Sequence, residues 1–220
     1  MVNFMEILDS LNIIPKYREL YIQAFTHTSY SNEHLECESY ERLEFLGDAV
    51  LELVISDYLY KEKRLEEGTM TKMRSSYVCE AACCTYAKKL GLDKCIRLGS
   101  GEAYANTTIL ADVFESFIGA MYLDQGLEVT KGVVIDVISQ YIEKNIDFLH
   151  DYKSELQEQV QTVHKSAIYE IIEESGPAHD KTFTCQVKID DIIMGIGRGS
   201  SKKAAEQEAA REALKKQIKV

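Results

Sequence analysis

Five acidic residues inside otherwise apolar helical segments are the positions of this 220-residue chain best suited to chemistry. Glu44 and Asp48 are four apart, so on a helix both point from one face, and Glu41 lies one turn earlier on that side. Asp112 and Glu115 are three apart within ILADVFESFIGAMYL, a run whose neighbours are those of a buried helix. Carboxylates in such surroundings are costly unless a cation or hydrogen bonds compensate them. Few lysines or arginines lie nearby in sequence, and a hard divalent ion such as Mg²⁺, which prefers oxygen ligands, suits the donor set. Spacing alone leaves a second reading open, in which the acids sit on solvent faces or pair with distant cations such as Arg42 or Arg74.

The elements that must position these acids are helices. From Tyr40 to Tyr60 the residues Leu43, Leu46, Ala49, Val50, Leu53, Val54 and Tyr58 recur at intervals of three and four, which predicts a helix mostly surrounded by core. Thr71 opens a second helical pattern through Lys89, with Gly91 as its C-terminal stop. Ile109 to Leu123 and Val129 to Ile142 read as two more helices. Gly47, beside Asp48, costs about 1 kcal/mol relative to alanine in a helix interior, so it marks either a close helix contact or a tolerated small residue. His27 reads as a helix-cap or core histidine before it reads as a ligand.

After Phe148 the pattern changes. Tyr152 to Val163 predicts a short amphipathic helix and Ala167 to Glu173 a strand, with Ser175, Gly176 and Pro177 turning the chain. Phe183, Cys185, Val187 and Ile189 alternate with polar residues, the period of a strand with one buried face. Asp190-Asp191 makes a tight turn into a third strand, and Ser200 and Ser201 cap a last helix running to about Ile218. The predicted architecture is an all-α domain over 1–147, a short linker at 148–151, and a small α+β domain of order α-β-β-β-α over 152–220.

A hydrophobic fraction of 45% with 2 prolines describes a folded protein. No apolar run has the length of a membrane span, and the acidic start MVNFMEILDS is unlike a signal peptide, so the chain reads as cytoplasmic. The six cysteines form no pair of CxxC motifs and are expected to be buried free thiols. The net charge of −11 argues against a polyanionic partner, but it is unevenly placed. Residues 1–150 hold 14 Lys+Arg against 24 Asp+Glu, a net of −10, while 151–220 hold 11 against 12. The near-neutral tail can therefore carry a local basic patch.

The run ERLEFLGDAVLEL, Glu41 to Leu53, resembles the signature of the ribonuclease III family. The resemblance extends back to AFTHTSY at Ala24 to Tyr30, and forward through EGTMTKMRS at Glu67 to Ser75 and ADVFESFIGAMYLD at Ala111 to Asp124. KSELQEQVQ, GPAHDKTF and GSSKKAAEQEAA in the tail resemble a double-stranded RNA-binding domain, so nearly all of the chain is covered in the bacterial arrangement of one domain of each kind. The resemblance implies a Mg²⁺-dependent endonuclease of duplex RNA, with Mn²⁺ as a substitute, leaving 5′-phosphate and 3′-hydroxyl ends with short 3′ overhangs. It implies metal ligation by Glu44, Asp48, Asp112 and Glu115, with Asp48 and Glu115 foremost in catalysis. Glu41 and Glu67 match auxiliary acids, Glu67 near the interface of a homodimer formed by the catalytic domain. Asn106 matches a position that holds the loop before the Asp112 helix. Phe25 and Thr28 depart from the residues usual there, and neither is a metal ligand. Processing of ribosomal precursors and messengers is what the family implies as a role, and no residue selects among substrates.

Duplex RNA presents shape, phosphates and 2′-hydroxyls, because side chains cannot read its deep major groove. Gln157, Glu158 and Gln161 share one side of the first tail helix and could reach one minor groove; His179, in the strand loop, could enter a second. Lys202 and Lys203 open the last helix, where ammonium groups and free backbone amides suit phosphates. Ser200 and Ser201 either add hydroxyl contacts or simply cap.

Overall fold

The computed structural model describes residues 4–102, 104–149, 151–176 and 181–216. The chain divides into two compact units, with the boundary between residues 149 and 150.

The first unit is helical: α1 (Phe4–Ser10), α2 (Arg18–Ala24), α3 (Thr28–Glu33), α4 (Glu41–Glu62), α5 (Glu67–Val78), α6 (Glu80–Leu90), α7 (Thr107–Gln125) and α8 (Leu127–Glu143). Helix α7 runs through the middle, against α2, α4, α6 and α8. Val113, Phe114, Phe117, Ile118, Ala120 and Met121 on it are wholly buried, which is why its sequence is apolar on nearly every face. The Asn106 side chain caps it, accepting from the Ile109 amide at 2.9 Å. Its far end is tied down by Asp124, which accepts from the Lys16 and Tyr17 amides and the Tyr21 hydroxyl, each at 2.9 Å.

Two expectations need correction here. The helical pattern from Thr71 to Lys89 is two helices, broken at Cys79, whose extended backbone (φ −72°, ψ 161°) ends α5 and begins α6. Apolar spacing continues across the break, so periodicity did not mark it; Gly91, with φ of 73°, does stop α6. Helix α4 is not mostly surrounded by core. Its buried stripe is Leu43, Gly47, Val50, Leu51, Val54, Ile55 and Leu59, whereas Leu53 is 54% exposed and Ala49 also faces outward. Phe45 (82% exposed) and Tyr60 (75%) continue that outward side.

In the second unit, helix α9 (Tyr152–Gln161) precedes strands β1 (Ala167–Ser175), β2 (Thr182–Ile189) and β3 (Ile192–Gly199), and α10 (Lys202–Lys215) follows. The sheet is antiparallel in the order β1-β2-β3. Asp190 and Asp191 both take positive φ, the geometry of a two-residue hairpin turn. One face of the sheet meets the helices, burying Leu156, Val160, Cys185, Val187 and Ile189 with the alanines of α10. Contact there is at backbone range: a Cβ on Gly195 or Gly197 would fall 2.1 Å from the Ala209 backbone. Pro177 and Ile218 lie outside the described residues. No described helix is long and apolar enough to cross a membrane.

Candidate active site

Helices α4 and α7 meet backbone to backbone. A Cβ built on Gly47 would fall 1.8 Å from the Glu115 carbonyl oxygen, and one on Gly119 would fall 2.2 Å from the Leu43 carbonyl oxygen. Gly47 is thus a close-contact residue, and Gly119, which the sequence reading did not single out, is its counterpart. This crossing brings the first turns of α4, with Glu44 and Asp48, beside the turn of α7 that carries Asp112 and Glu115.

Electrostatics report the same gathering. Glu44 is pushed up to about 7, first by burial and then by the charges of Asp112, Glu41 and Asp48. Glu115 is pushed up to about 8, by burial and then by Asp48, Glu44 and Asp112. Asp112 is also raised, chiefly by burial. Among the described residues none of these four acids, nor Glu41, has a lysine or arginine within ion-pair distance. Of the two candidate partners, Arg74 donates to Ser56 instead, and Arg42 is exposed with no described ion pair. The acids therefore repel one another with only the His27 ring acting against that repulsion, at Asp112, and the donor set is all carboxylate oxygen, which fits a hard divalent cation. Among the described residues no group of three or more His, Cys, Asp or Glu side chains is arranged so that it could hold a metal ion as it stands. Asp112 and Glu115 have neutral partners: the Tyr40 hydroxyl donates to Asp112 Oδ2 at 3.1 Å, and the Cys83 thiol lies 3.7 Å from Glu115 Oε1.

Neighbouring residues sort by contact. His27 caps α3, its Nδ1 accepting from the Ser29 amide at 3.2 Å, and its ring lies 5.7 Å from that of Tyr40. Glu41 holds a hydrogen bond from Ser39 at 3.3 Å and faces Glu44. Glu80, at the start of α6, adds a further negative charge toward Asp112 that the sequence reading missed, since nothing in its spacing links it to α7. Glu67 does not join the four acids. It lines a groove with Leu59, Tyr60, Met70 and Arg74, and accepts from Thr71 at 3.0 Å. The cysteines are free thiols as expected, but only Cys83, Cys84 and Cys185 are buried; Cys37, Cys79 and Cys95 are half-buried.

In the second unit Glu158 and Gln161 are exposed on α9 and Gln157 is half-buried on the same helix. Ser201 caps α10, accepting from the Ala204 amide at 3.1 Å, and Ser200, Lys202 and Lys203 are exposed beside it. Among the described residues no carboxylate is in ion-pair range of Lys202 or Lys203; the Lys202 ammonium lies 5.9 Å from the centre of the Phe183 ring. His179 lies outside the described residues.

A helical unit with an acid-lined crossing, followed by an α-β-β-β-α unit with a cationic helix start, defines a two-part class of protein. Comparison with known proteins places it more closely. Residues 17–142 match the Ribonuclease-III-like family and residues 152–217 the double-stranded RNA binding motif. The Ribonuclease 3 of Aster yellows witches'-broom phytoplasma is 44% identical over 223 residues, covering 100% of this chain and 94% of that one. Ribonuclease 3 of Bacillus cereus is 48% identical over 208 residues, 90% of this chain and 84% of the relative. Among solved structures, the nuclease domain of ribonuclease III from Campylobacter jejuni aligns with a TM-score of 0.58 at 34% identity, over 63% of this chain and 97% of that one; it is described as having a flexible region involved in dimer formation. The chain belongs to the ribonuclease III family.

Proposed function

We propose that this chain is a cytoplasmic, Mg²⁺-dependent endoribonuclease that hydrolyses phosphodiester bonds of double-stranded RNA, with a nuclease domain over 1–147, a linker at 148–151 and an RNA-binding domain over 152–220. The observation that carries the reading is the crossing of α4 and α7, which sets the turns carrying Glu44, Asp48, Asp112 and Glu115 side by side with no described lysine or arginine in ion-pair range. These four acids would hold Mg²⁺, or Mn²⁺ in its place, with Glu41 as an auxiliary acid. When bound, a divalent ion supplies a nucleophilic water at neutral pH and offsets charge building on the scissile phosphate. The residues' own part is to present oxygen ligands from two helices at a spacing that the glycine contact fixes. Asp48 and Glu115 act closest to the chemistry. The products are 5′-phosphate and 3′-hydroxyl ends with short 3′ overhangs, as in the processing of ribosomal precursors and messengers.

Duplex RNA is held by the second domain. Gln157, Glu158 and Gln161 on α9, and His179 in the loop, suit minor grooves; Ser200, Ser201, Lys202 and Lys203 suit phosphates between them. Recognition is by shape and is salt-dependent. The exposed side of α4 supports a homodimer: Phe45, Ala49, Leu53 and Tyr60 fall within an arc of about 80° at 100° per residue and offer an apolar stripe one residue away from Glu44. Glu67, in the groove beside Tyr60, would lie near that interface.

The test is product analysis of an end-labelled perfect RNA duplex incubated with the purified chain, with and without Mg²⁺. Metal-dependent cuts on both strands, offset to leave 3′ overhangs and 5′-phosphates, are the expected result. A duplex retained intact would move the protein to RNA binding without cleavage.

A further inference from the structure

Two neutral donors bear on the α7 acids, and each contacts one oxygen only. Tyr40 is 3% exposed, and its backbone amide donates to the Thr26 carbonyl at 2.9 Å. Its ring packs beside His27, so the phenol has little freedom, and its hydroxyl meets Asp112 Oδ2 at 3.1 Å. Cys83 is wholly buried on α6, the helix packed along α7, and its thiol faces Glu115 Oε1 at 3.7 Å and the Val78 carbonyl at 3.5 Å. Asp112 and Glu115 both face further carboxylates and have two and three rotatable side-chain bonds, so without a hold they would swing apart. A lysine or arginine would supply the hold but would also neutralise the charge that a metal ion needs. A phenol or thiol orients the carboxylate and leaves its charge in place. The contacts also leave Asp112 Oδ1 and Glu115 Oε2 for another partner.

We propose that Tyr40 and Cys83 are positioning residues that set the orientation of Asp112 and Glu115 for metal binding, each through one hydrogen bond from a neutral donor. The inference rests on the metal-dependent reading given above, and it concerns two residues from outside the acid set, on different elements.

The test uses the full chain and the variants Tyr40→Phe, Cys83→Ala and Cys84→Ala. Cys84 is the packing control, since it is buried on the same helix and has no described contact with Glu115. Two readouts are taken: Mg²⁺ titration of thermal stability without RNA, and the Mg²⁺ dependence of kcat and KM on a perfect duplex. Tyr40→Phe and Cys83→Ala should each raise the half-saturating Mg²⁺ concentration by about tenfold in both assays, the usual size for a partner of a metal ligand, with KM for RNA unchanged. Cys84→Ala should keep the parent's metal dependence even if its Tm falls. Half-saturation within about twofold of the parent for both Tyr40→Phe and Cys83→Ala would overturn the inference, as would equal shifts in Cys83→Ala and Cys84→Ala. A parent chain with neither Mg²⁺-induced stabilisation nor cleavage would instead overturn the metal reading on which it rests. Because the two positions lie on separate elements, misfolding of one variant leaves the other as a test.

Discussion

The two units treat charge in opposite ways. The second places lysines and arginines against carboxylates across its surface: Lys188 with Glu170 at 2.7 Å, Lys165 with Asp190 at 2.9 Å, Lys153 with Glu206 at 2.6 Å, and Lys181 with Glu174. Exposed pairs of this kind add little stability each, but they leave the surface electrically quiet. Against that background Lys202, Lys203 and Lys215 have no described carboxylate in ion-pair range, and the first two sit together at the start of α10. The first unit does the reverse at the α4–α7 crossing, where burial and then neighbouring carboxylates push Glu44 and Glu115 up and no described lysine or arginine is in ion-pair range. In each unit the side chains proposed above as contacts, for a cation in the first and for phosphates in the second, stand outside the described ion pairs.

The comparison breaks most sharply at Glu115. Glu115→Gln should lower cleavage by at least about 10³-fold while leaving duplex affinity intact, the scale of a group acting in the transition state. Cleavage near the parent rate would remove Glu115 from the site. Next in size is the crossing itself. Gly47→Ala would place a methyl group against the Glu115 carbonyl, so a stability loss of about 3 kcal/mol or more, with loss of cleavage, is expected by denaturant unfolding. Gly132→Ala is the contrast: Gly132 lies inside α8 with open space around its Cα, and the same change should stabilise by about 1 kcal/mol. Equal effects at the two glycines would mean that the helices do not meet as described. Lys202→Ala with Lys203→Ala should weaken duplex binding and reduce its log–log salt slope by up to about 2, without changing the metal dependence of the first unit. An unaltered slope would strip both lysines of phosphate contacts.

The smallest effects concern two acids that do have partners. Burial pushes Asp124 up, but hydrogen bonds from Gln125, Tyr21, Tyr17 and Lys16 outweigh it and hold the group below the usual carboxylate range. Asp151 is lowered to about 2 by hydrogen bonds from Gln207 and Ser154. Each folded-state pKa lies below the unfolded value of about 3.9, so the stabilisation is present above that pH and is lost as pH falls through the folded value. Asp124→Asn should therefore cost about 1–3 kcal/mol at pH 7, and Asp151→Ala about 1 kcal/mol as a lost helix cap. Each difference should shrink toward pH 2 when the unfolding of the unit that carries the residue is followed. A difference that grows in acid would contradict the sign.

The pairing of the acids was legible because a helix repeats every 3.6 residues: the spacings 44/48 and 112/115 put each pair on one face, and apolar neighbours pointed to burial, which holds in part for Glu44, Asp112 and Glu115 but not for Asp48 or Glu41, both exposed. Gly47 was half-legible, since a glycine inside a helix asks for a reason but does not name the helix it approaches. Gly119 and the contacts of Tyr40 with Asp112 and of Cys83 with Glu115 were not legible, because they depend on which helices cross, and a periodicity carries no address. The break at Cys79 was hidden for a related reason: apolar spacing on either side stays helical, and one extended residue leaves no compositional mark. The outward side of α4 was misread because Ala49 and Leu53 are as apolar as the core and fall at helical spacing with it, and apolar spacing does not say where the buried stripe ends.

The contact between Gly47 and the Glu115 carbonyl has one more consequence. Since no side chain stands between the two helices at that point, no side-chain exchange can widen or narrow the gap by degrees; the spacing of the acid rows is gauged by atoms that every residue shares. Replacements at Leu51, Ile55, Phe114 or Ile118, all fully buried, can loosen or tighten the domain as a whole while the ruler at its centre keeps its length. Robustness and calibration are thereby set by separate positions of the same domain.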